Sequence, residues 1–136
     1  MDNLPKMSES AVHAGFPSPA QDYMSVGIDL NKELVRHPDA TFFVRVAGDS
    51  MTGAGIDDGD TLVVDRSLDP TDGCIAICCL EREFFVRRIL VGTDSWTLKA
   101  ENPAYKPVTV GPDAEFSVWG VVTYIIKKAN SHAPRR

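Results

Sequence analysis

Seven short runs of β-branched and aromatic residues, each closed by turn chemistry, leave this chain little room for any architecture but a β-sheet. The runs predict strands over 41–47 (TFFVRVA), 61–66 (TLVVDR), 74–80 (CIAICCL), 82–90 (REFFVRRIL), 95–100 (SWTLKA), 107–110 (PVTV) and 116–128 (FSVWGVVTYIIKK). Between them lie "GIDDGD", "DPTDG", "VGTD" and "ENPAY", which are turn sequences. Helix is scarce. One short helix is predicted in "IDLNKELVRHP", with Asp29 as its cap, Leu30 and Leu34 on one face, and Pro38 stopping it. The expected fold is mostly β: a compact, twisted antiparallel sheet, barrel-like so as to hide its edges.

Ahead of the strands, residues 1–27 are rich in Ser, Gly and Pro, with "GFPSP" at 15–19 and no amphipathic period. They read as an extended arm, since proline and the residue before it favour β or polyproline geometry. The organisation is therefore an arm over 1–27, a β domain over 28–128 and a basic tail over 129–136. With 136 residues, 43% hydrophobic and 24% charged, the chain suits one domain that buries enough surface to need no disulfide or metal staple.

The charge distribution disfavours direct, sequence-specific DNA binding. Net charge is −5, but the last ten residues, "KKANSHAPRR", carry four cations and no acid, so residues 1–126 hold 10 basic against 19 acidic groups. Such a body repels phosphates. Cys74, Cys78 and Cys79 cluster in one predicted strand and match no zinc spacing, so they read as core thiols of a reducing cytoplasm. The first residues lack a secretory leader pattern and no apolar run approaches a bilayer span, which places the chain in the cytoplasm and off the membrane.

Most candidate sites dissolve on inspection. His13, His37 and His132 are scattered, and no metal site is expected. Asp57, Asp58 and Asp60 lack the ligand spacing of a calcium loop and read as a solvated turn. Gly48, Gly53 and Gly55 lack the lysine and helix of a phosphate loop. Ser50, in "VAGDSM", sits at a turn after a strand, where a hydroxyl can be exposed and nearby backbone N–H groups can serve as an oxyanion hole. Taken locally it reads far more readily as a turn serine than as a nucleophile, because serines favour turns for hydrogen-bonding reasons alone.

Several ordered motifs carry a resemblance. "AGFPSPAQDY" at 14–23, "IDLNKELVRHPDATFFV" at 28–44, "AGDSM" around Ser50, "GIDDGDTLVVD" at 55–65, "EFFVRR" at 83–88 and "FSVWGVV" at 116–122 together resemble the LexA/UmuD-like family of self-cleaving serine peptidases. The resemblance implies the LexA-type peptidase fold, a homodimer, no cofactor, and a Ser-Lys dyad that cuts a bond in the protein's own arm. Carried over, the scissile bond is Ala14-Gly15, the nucleophile is Ser50, and the Ser50 and Met51 backbone N–H groups form the oxyanion hole. It further implies cleavage promoted by RecA filaments on single-stranded DNA, and union with a UmuC-type translesion polymerase subunit in SOS mutagenesis. A type I signal peptidase shares the Ser-Lys logic but needs a membrane anchor.

The sequence departs from the family at the base. Arg87 stands where the family has its lysine, and Arg88 follows, so no shift of one residue recovers a lysine. Neutralising an arginine at pH 7 costs on the order of 8 to 9 kcal/mol, against roughly 4.6 for lysine. Slow cleavage at neutral pH is therefore expected, and the alternative is an uncut chain that regulates a polymerase by contact alone. Strand alternation puts Phe85, Arg87 and Ile89 on one face and Phe84, Val86, Arg88 and Leu90 on the other, both mostly apolar, so it does not choose between the two arginines.

Overall fold

The computed structural model describes residues 27–129. The chain divides into two units, residues 1–36 and 37–136. In the first unit, α1 spans Leu30–Leu34, with the Asp29 carboxylate accepting from the Lys32 N–H at 3.4 Å as its cap. The helix ends at Leu34, short of Pro38. That proline opens a separate 3-10 turn, Pro38–Ala40, where its missing N–H costs nothing.

The second unit is built on one antiparallel sheet. Its strands are β1 (Thr41–Arg45), β2 (Thr61–Asp65), β3 (Ile75–Leu80), β4 (Glu83–Val91), β5 (Trp96–Lys99), β6 (Val108–Val110) and β7 (Phe116–Ile126). Each falls within or beside a segment predicted from alternation and turn chemistry. Their order in the sheet is β1-β2-β7-β3-β4-β5-β6, so among the described residues β1 and β6 are its outermost strands. The last strand thus inserts between β2 and β3.

Alternation sorts the apolar side chains into two clusters. Met51, Ile56, Leu62, Val64 and Ile77 form the first, and Ala76, Cys78, Ile89, Leu98 and Val110 the second. Ile77 and its strand neighbours Ala76 and Cys78 lie in different clusters, as a period of two requires when both faces of β3 are packed. Of the expected core thiols, Cys78 is fully buried while Cys74 and Cys79 are half-buried, and all three are free.

β7 bridges the two halves through two irregularities. Its pairing shifts opposite Val63/Val64 and again opposite Ile77/Cys78, leaving Thr123 and Trp119 as the extra residues. Between them Gly120 approaches β2 so closely that a Cβ there would lie 2.5 Å from Val64 Cγ1. The β3–β4 hairpin turns on Glu81 and Arg82 with φ of 51° and 73°, so Arg82 belongs to the turn and not to the strand predicted from 82.

The acidic turn "GIDDGD" is more deeply built in than its composition suggests. Asp60 is only 3% exposed, accepts the Asp57 N–H at 2.8 Å, and pairs with Lys127 at 2.6 Å. Asp57 pairs with the same ammonium at 2.7 Å, whereas Asp57 and Asp58 remain exposed. Reading all three as solvated fails for Asp60, because its partner arrives from the far end of β7. Burial pushes the Asp60 carboxyl up, but the Asp57 N–H and Lys127 outweigh it and hold the acid below its ordinary range.

Candidate active site

The turn that carries Ser50 is held from both ends. On its N-terminal side the Gly48 N–H donates to the Asp58 carboxylate at 2.8 Å, and Val46 exchanges backbone bonds with Asp60 and Gly59 at 2.8 and 2.9 Å. On its C-terminal side Met51 is 2% exposed in the first apolar cluster, and its carbonyl accepts from Ala54 and Ile56 at 3.0 and 3.2 Å. A buried anchor next to an exposed polar stretch fixes the direction in which the half-buried Ser50 points. Neither the Ser50 nor the Met51 N–H has a hydrogen-bond acceptor among the described residues.

From β4, Arg87 reaches the serine. Its Nη1 donates to Ser50 Oγ at 2.9 Å across a sequence separation of 37 residues. This resolves the choice that alternation left open. Arg88, on the opposite face, instead donates through Nε to Glu101 at 2.7 Å and through Nη1 to the Gly73 carbonyl at 2.7 Å.

The pose of Arg87 follows from the sheet's register. β4 pairs with β3 from Glu83 to Arg88, but with β5 only from Arg88 to Val91, so among the described residues 83–87 have no strand partner on the β5 side. Arg87 leaves the strand on the side of Ala76, which belongs to the second cluster, while Met51 beside Ser50 belongs to the first. The guanidinium passes this edge, and Nη1 also donates to the Val86 carbonyl at 2.7 Å. The Phe85 ring lies 4.8 Å from the guanidinium carbon and the Tyr105 ring 5.7 Å from it, both within cation–π range.

Burial lowers the Arg87 pKa, with the neighbouring Cys78 and Tyr105 groups opposing that shift. Burial likewise pushes the Cys78 thiol up to about 12, so it stays protonated beneath the site. The direction of the Arg87 bond matters more than the size of its shift. A guanidinium has only donors, so it donates a hydrogen bond to the serine oxygen's lone pair and offers no place for the serine's own proton.

A segment that sequence reading assigned only to a turn completes the surroundings. In "ENPAY", Tyr105 Oη donates to Asp49 Oδ1 at 2.6 Å, Asn102 Nδ2 donates to the Asp49 carbonyl at 2.8 Å, and the Glu101 carbonyl accepts from the Gly53 N–H at 2.7 Å. A Cβ on Gly53 would lie 2.6 Å from that carbonyl oxygen, which explains a glycine there. Asn-Pro signals a turn but says nothing of where the turn lands. The expected scissile residues, Ala14 and Gly15, lie outside the described residues.

Elsewhere, His37 Nδ1 meets the buried Asp65 at 2.6 Å. Among the described residues no group of three or more His, Cys, Asp or Glu is placed to hold a metal ion, and no helix is long and apolar enough to cross a membrane.

An all-antiparallel sheet brings a serine turn that follows β1 within hydrogen-bond reach of a cation on β4, and comparison with known proteins supplies the family. Residues 6–123 match the family described as Peptidase S24-like. The chain is 45% identical over 114 residues to Protein MucA of Salmonella typhimurium, covering 83% of this chain and 77% of that one. It is 40% identical over 121 residues to Protein ImpA of Salmonella typhimurium, covering 85% and 78%, and 36% identical over 110 residues to LexA repressor 2 of Pseudomonas syringae pv. tomato, covering 76% and 54%. The chain belongs to the Peptidase S24-like family, within its UmuD-like group of the SOS mutagenesis type.

Proposed function

We propose that this chain is a self-cleaving serine peptidase of the SOS response whose cutting is slow at neutral pH because Arg87 holds the position of the base. The observation that carries the reading is the 2.9 Å contact between Arg87 Nη1 and Ser50 Oγ. Ser50 Oγ attacks the Ala14 carbonyl carbon as its proton leaves to hydroxide. The Ser50 and Met51 N–H groups stabilise the resulting oxyanion. The bond to the Gly15 nitrogen then breaks, that nitrogen takes a proton, and water hydrolyses the ester between Ala14 and Ser50. Arg87 supplies positive charge near the developing anion but does not accept the proton.

The edge of β4 beside Arg87, which has no strand partner among the described residues, supports an extended arm as the substrate, since a strand added there would find backbone groups to pair with. The Val86 carbonyl on that edge is already engaged by Arg87, a second reason for slow cutting. By the family's pattern, the chain acts in the cytoplasm as a homodimer, RecA filaments on single-stranded DNA promote the cut, and the product joins a UmuC-type translesion polymerase subunit.

A second reading is favoured by the same donor-only guanidinium: the chain stays uncut and regulates the polymerase by contact. The two separate in a cleavage assay on purified protein from neutral to strongly alkaline pH, with and without RecA filaments, scoring fragments 1–14 and 15–136 by mass. Ser50-dependent cutting that accelerates with pH supports the peptidase. No Ser50-dependent fragments at any pH leaves only the contact role.

A further inference from the structure

We propose that Tyr105 is a positioning residue for the Ser50–Arg87 pair, holding the serine turn and the guanidinium in register with each other. This deepens the peptidase reading and rests on it. One loop, Glu101–Tyr105, grips the serine turn on both sides: Asp49 before Ser50, through Tyr105 Oη at 2.6 Å and Asn102 Nδ2 at 2.8 Å, and Gly53 after it, through the Glu101 carbonyl at 2.7 Å. The loop is itself stiffened, because Asn102 accepts the Ala104 N–H at 2.9 Å on its side chain and the Tyr105 N–H at 3.0 Å on its carbonyl. From this braced position the Tyr105 ring faces the Arg87 guanidinium at 5.7 Å. Tyr105 thus meets both the residue before Ser50 and the cation opposite it.

Tyr105 acts through these neighbours and not as a base. The hydrogen bond to Asp49, with the charge of that carboxylate, raises the phenol's pKa above its ordinary value, so its proton stays committed to Asp49 near neutrality. Loss of the ring frees the guanidinium to leave Ser50, and loss of the hydroxyl frees Asp49 and the turn behind it. The predicted order of damage is Tyr105→Leu greater than Tyr105→Phe, because phenylalanine keeps the ring against Arg87.

The test reads the Ser50–Arg87 geometry without requiring cleavage. In the Ser50→Cys chain, iodoacetamide alkylation is followed against pH by mass spectrometry of tryptic peptide 46–66, which is separate from the peptide holding Cys74, Cys78 and Cys79. A guanidinium in contact lowers the thiol's midpoint below the ordinary value of about 8.5. Tyr105→Leu should raise that midpoint by about one unit and Tyr105→Phe by less, with no shift from either when Arg87→Met has removed the cation. A midpoint unmoved by Tyr105→Leu, or moved equally in the Arg87→Met background, overturns the proposal. Cleavage of the Ser50-containing chain is scored in parallel. Its absence in every variant would sink the peptidase reading while the thiol profile still judges Tyr105.

Discussion

Replacing Arg87 by lysine isolates the proton-accepting step from everything else in the site. From reference pKa values of roughly 12.5 to 13.8 and 10.4, a neutral side chain at pH 7 costs about 8 to 9 kcal/mol for arginine and about 4.6 for lysine. The difference, about 3 to 4 kcal/mol, corresponds to a roughly 10²- to 10³-fold larger population of neutral base. Burial at this site lowers the Arg87 pKa and acts on a lysine in the same direction, which moves the lysine toward neutrality while leaving the arginine charged. Reach is not a barrier. Arg87 is folded back far enough for one nitrogen to meet both Ser50 Oγ at 2.9 Å and the Val86 carbonyl at 2.7 Å, so a shorter side chain has slack to extend. The assay is the first-order rate of appearance of fragment 15–136 from pH 6 to 11. Arg87→Lys should cut about 10²- to 10³-fold faster at pH 7 and level off above the shifted lysine pKa, whereas the unaltered chain should gain about tenfold per pH unit without a plateau. Equal rates at pH 7, or a neutral plateau in the unaltered chain, would refute the argument that the guanidinium fails as a base.

Other parts of the scaffold give separate expectations. Lys127→Met strips the buried Asp60 of its cation, so the urea midpoint should fall at pH 7; Asp60 has a lowered folded-state pKa, so its contribution is present above about pH 4 and lost as pH drops below the unfolded value, and the variant's deficit should shrink at pH 3. An equal deficit at both pH values would mean that the Lys127–Asp60 pair is not its source. Glu81→Asn combined with Arg82→Gly suits the positive φ of both turn residues and should raise stability by about 1 kcal/mol in chemical denaturation; a loss would contradict the turn geometry. Gly53→Ala forces a Cβ against the Glu101 carbonyl and should slow cleavage of the Arg87→Lys chain more than it lowers its melting temperature. If melting falls while the cleavage rate holds, the contact is structural only.

The strands were legible because their information is local: a period of two, β-branched residues, and Gly, Pro or Asp at the turns. What was illegible depended on chain segments far apart. Alternation could not choose between Arg87 and Arg88 because both faces of the sheet are packed, and only the short β5 pairing, which among the described residues leaves Val86 without a strand partner on that side, shows how Arg87 gets to Ser50. Asp60 read as solvated because its cation lies 67 residues on. Glu81 and Arg82 carry none of the Asn or Gly signature of a turn with positive φ, so the strand was started one residue early. Tyr105 read as the end of an Asn-Pro turn, and nothing in five residues of sequence says that the turn closes over a serine 55 positions earlier.

These long-range ties bear on what a base substitution does to the chain. Ser50 is placed by the burial of Met51, by Asp58 on Gly48, by Tyr105 and Asn102 on Asp49, and by Glu101 on Gly53. None of these contacts passes through the charge of Arg87. Ser50 and the N–H groups beside it therefore stay assembled whichever cation stands on β4, and on the proposed mechanism the residue at that single position acts on the cutting rate without acting on the turn. Arg87→Lys should accordingly leave the melting temperature within about 2 °C of the parent while changing the rate by orders of magnitude. A large loss of stability in that variant would show instead that the guanidinium's bonds to Val86 and Ser50 help hold the sheet edge, and that rate and fold are coupled there.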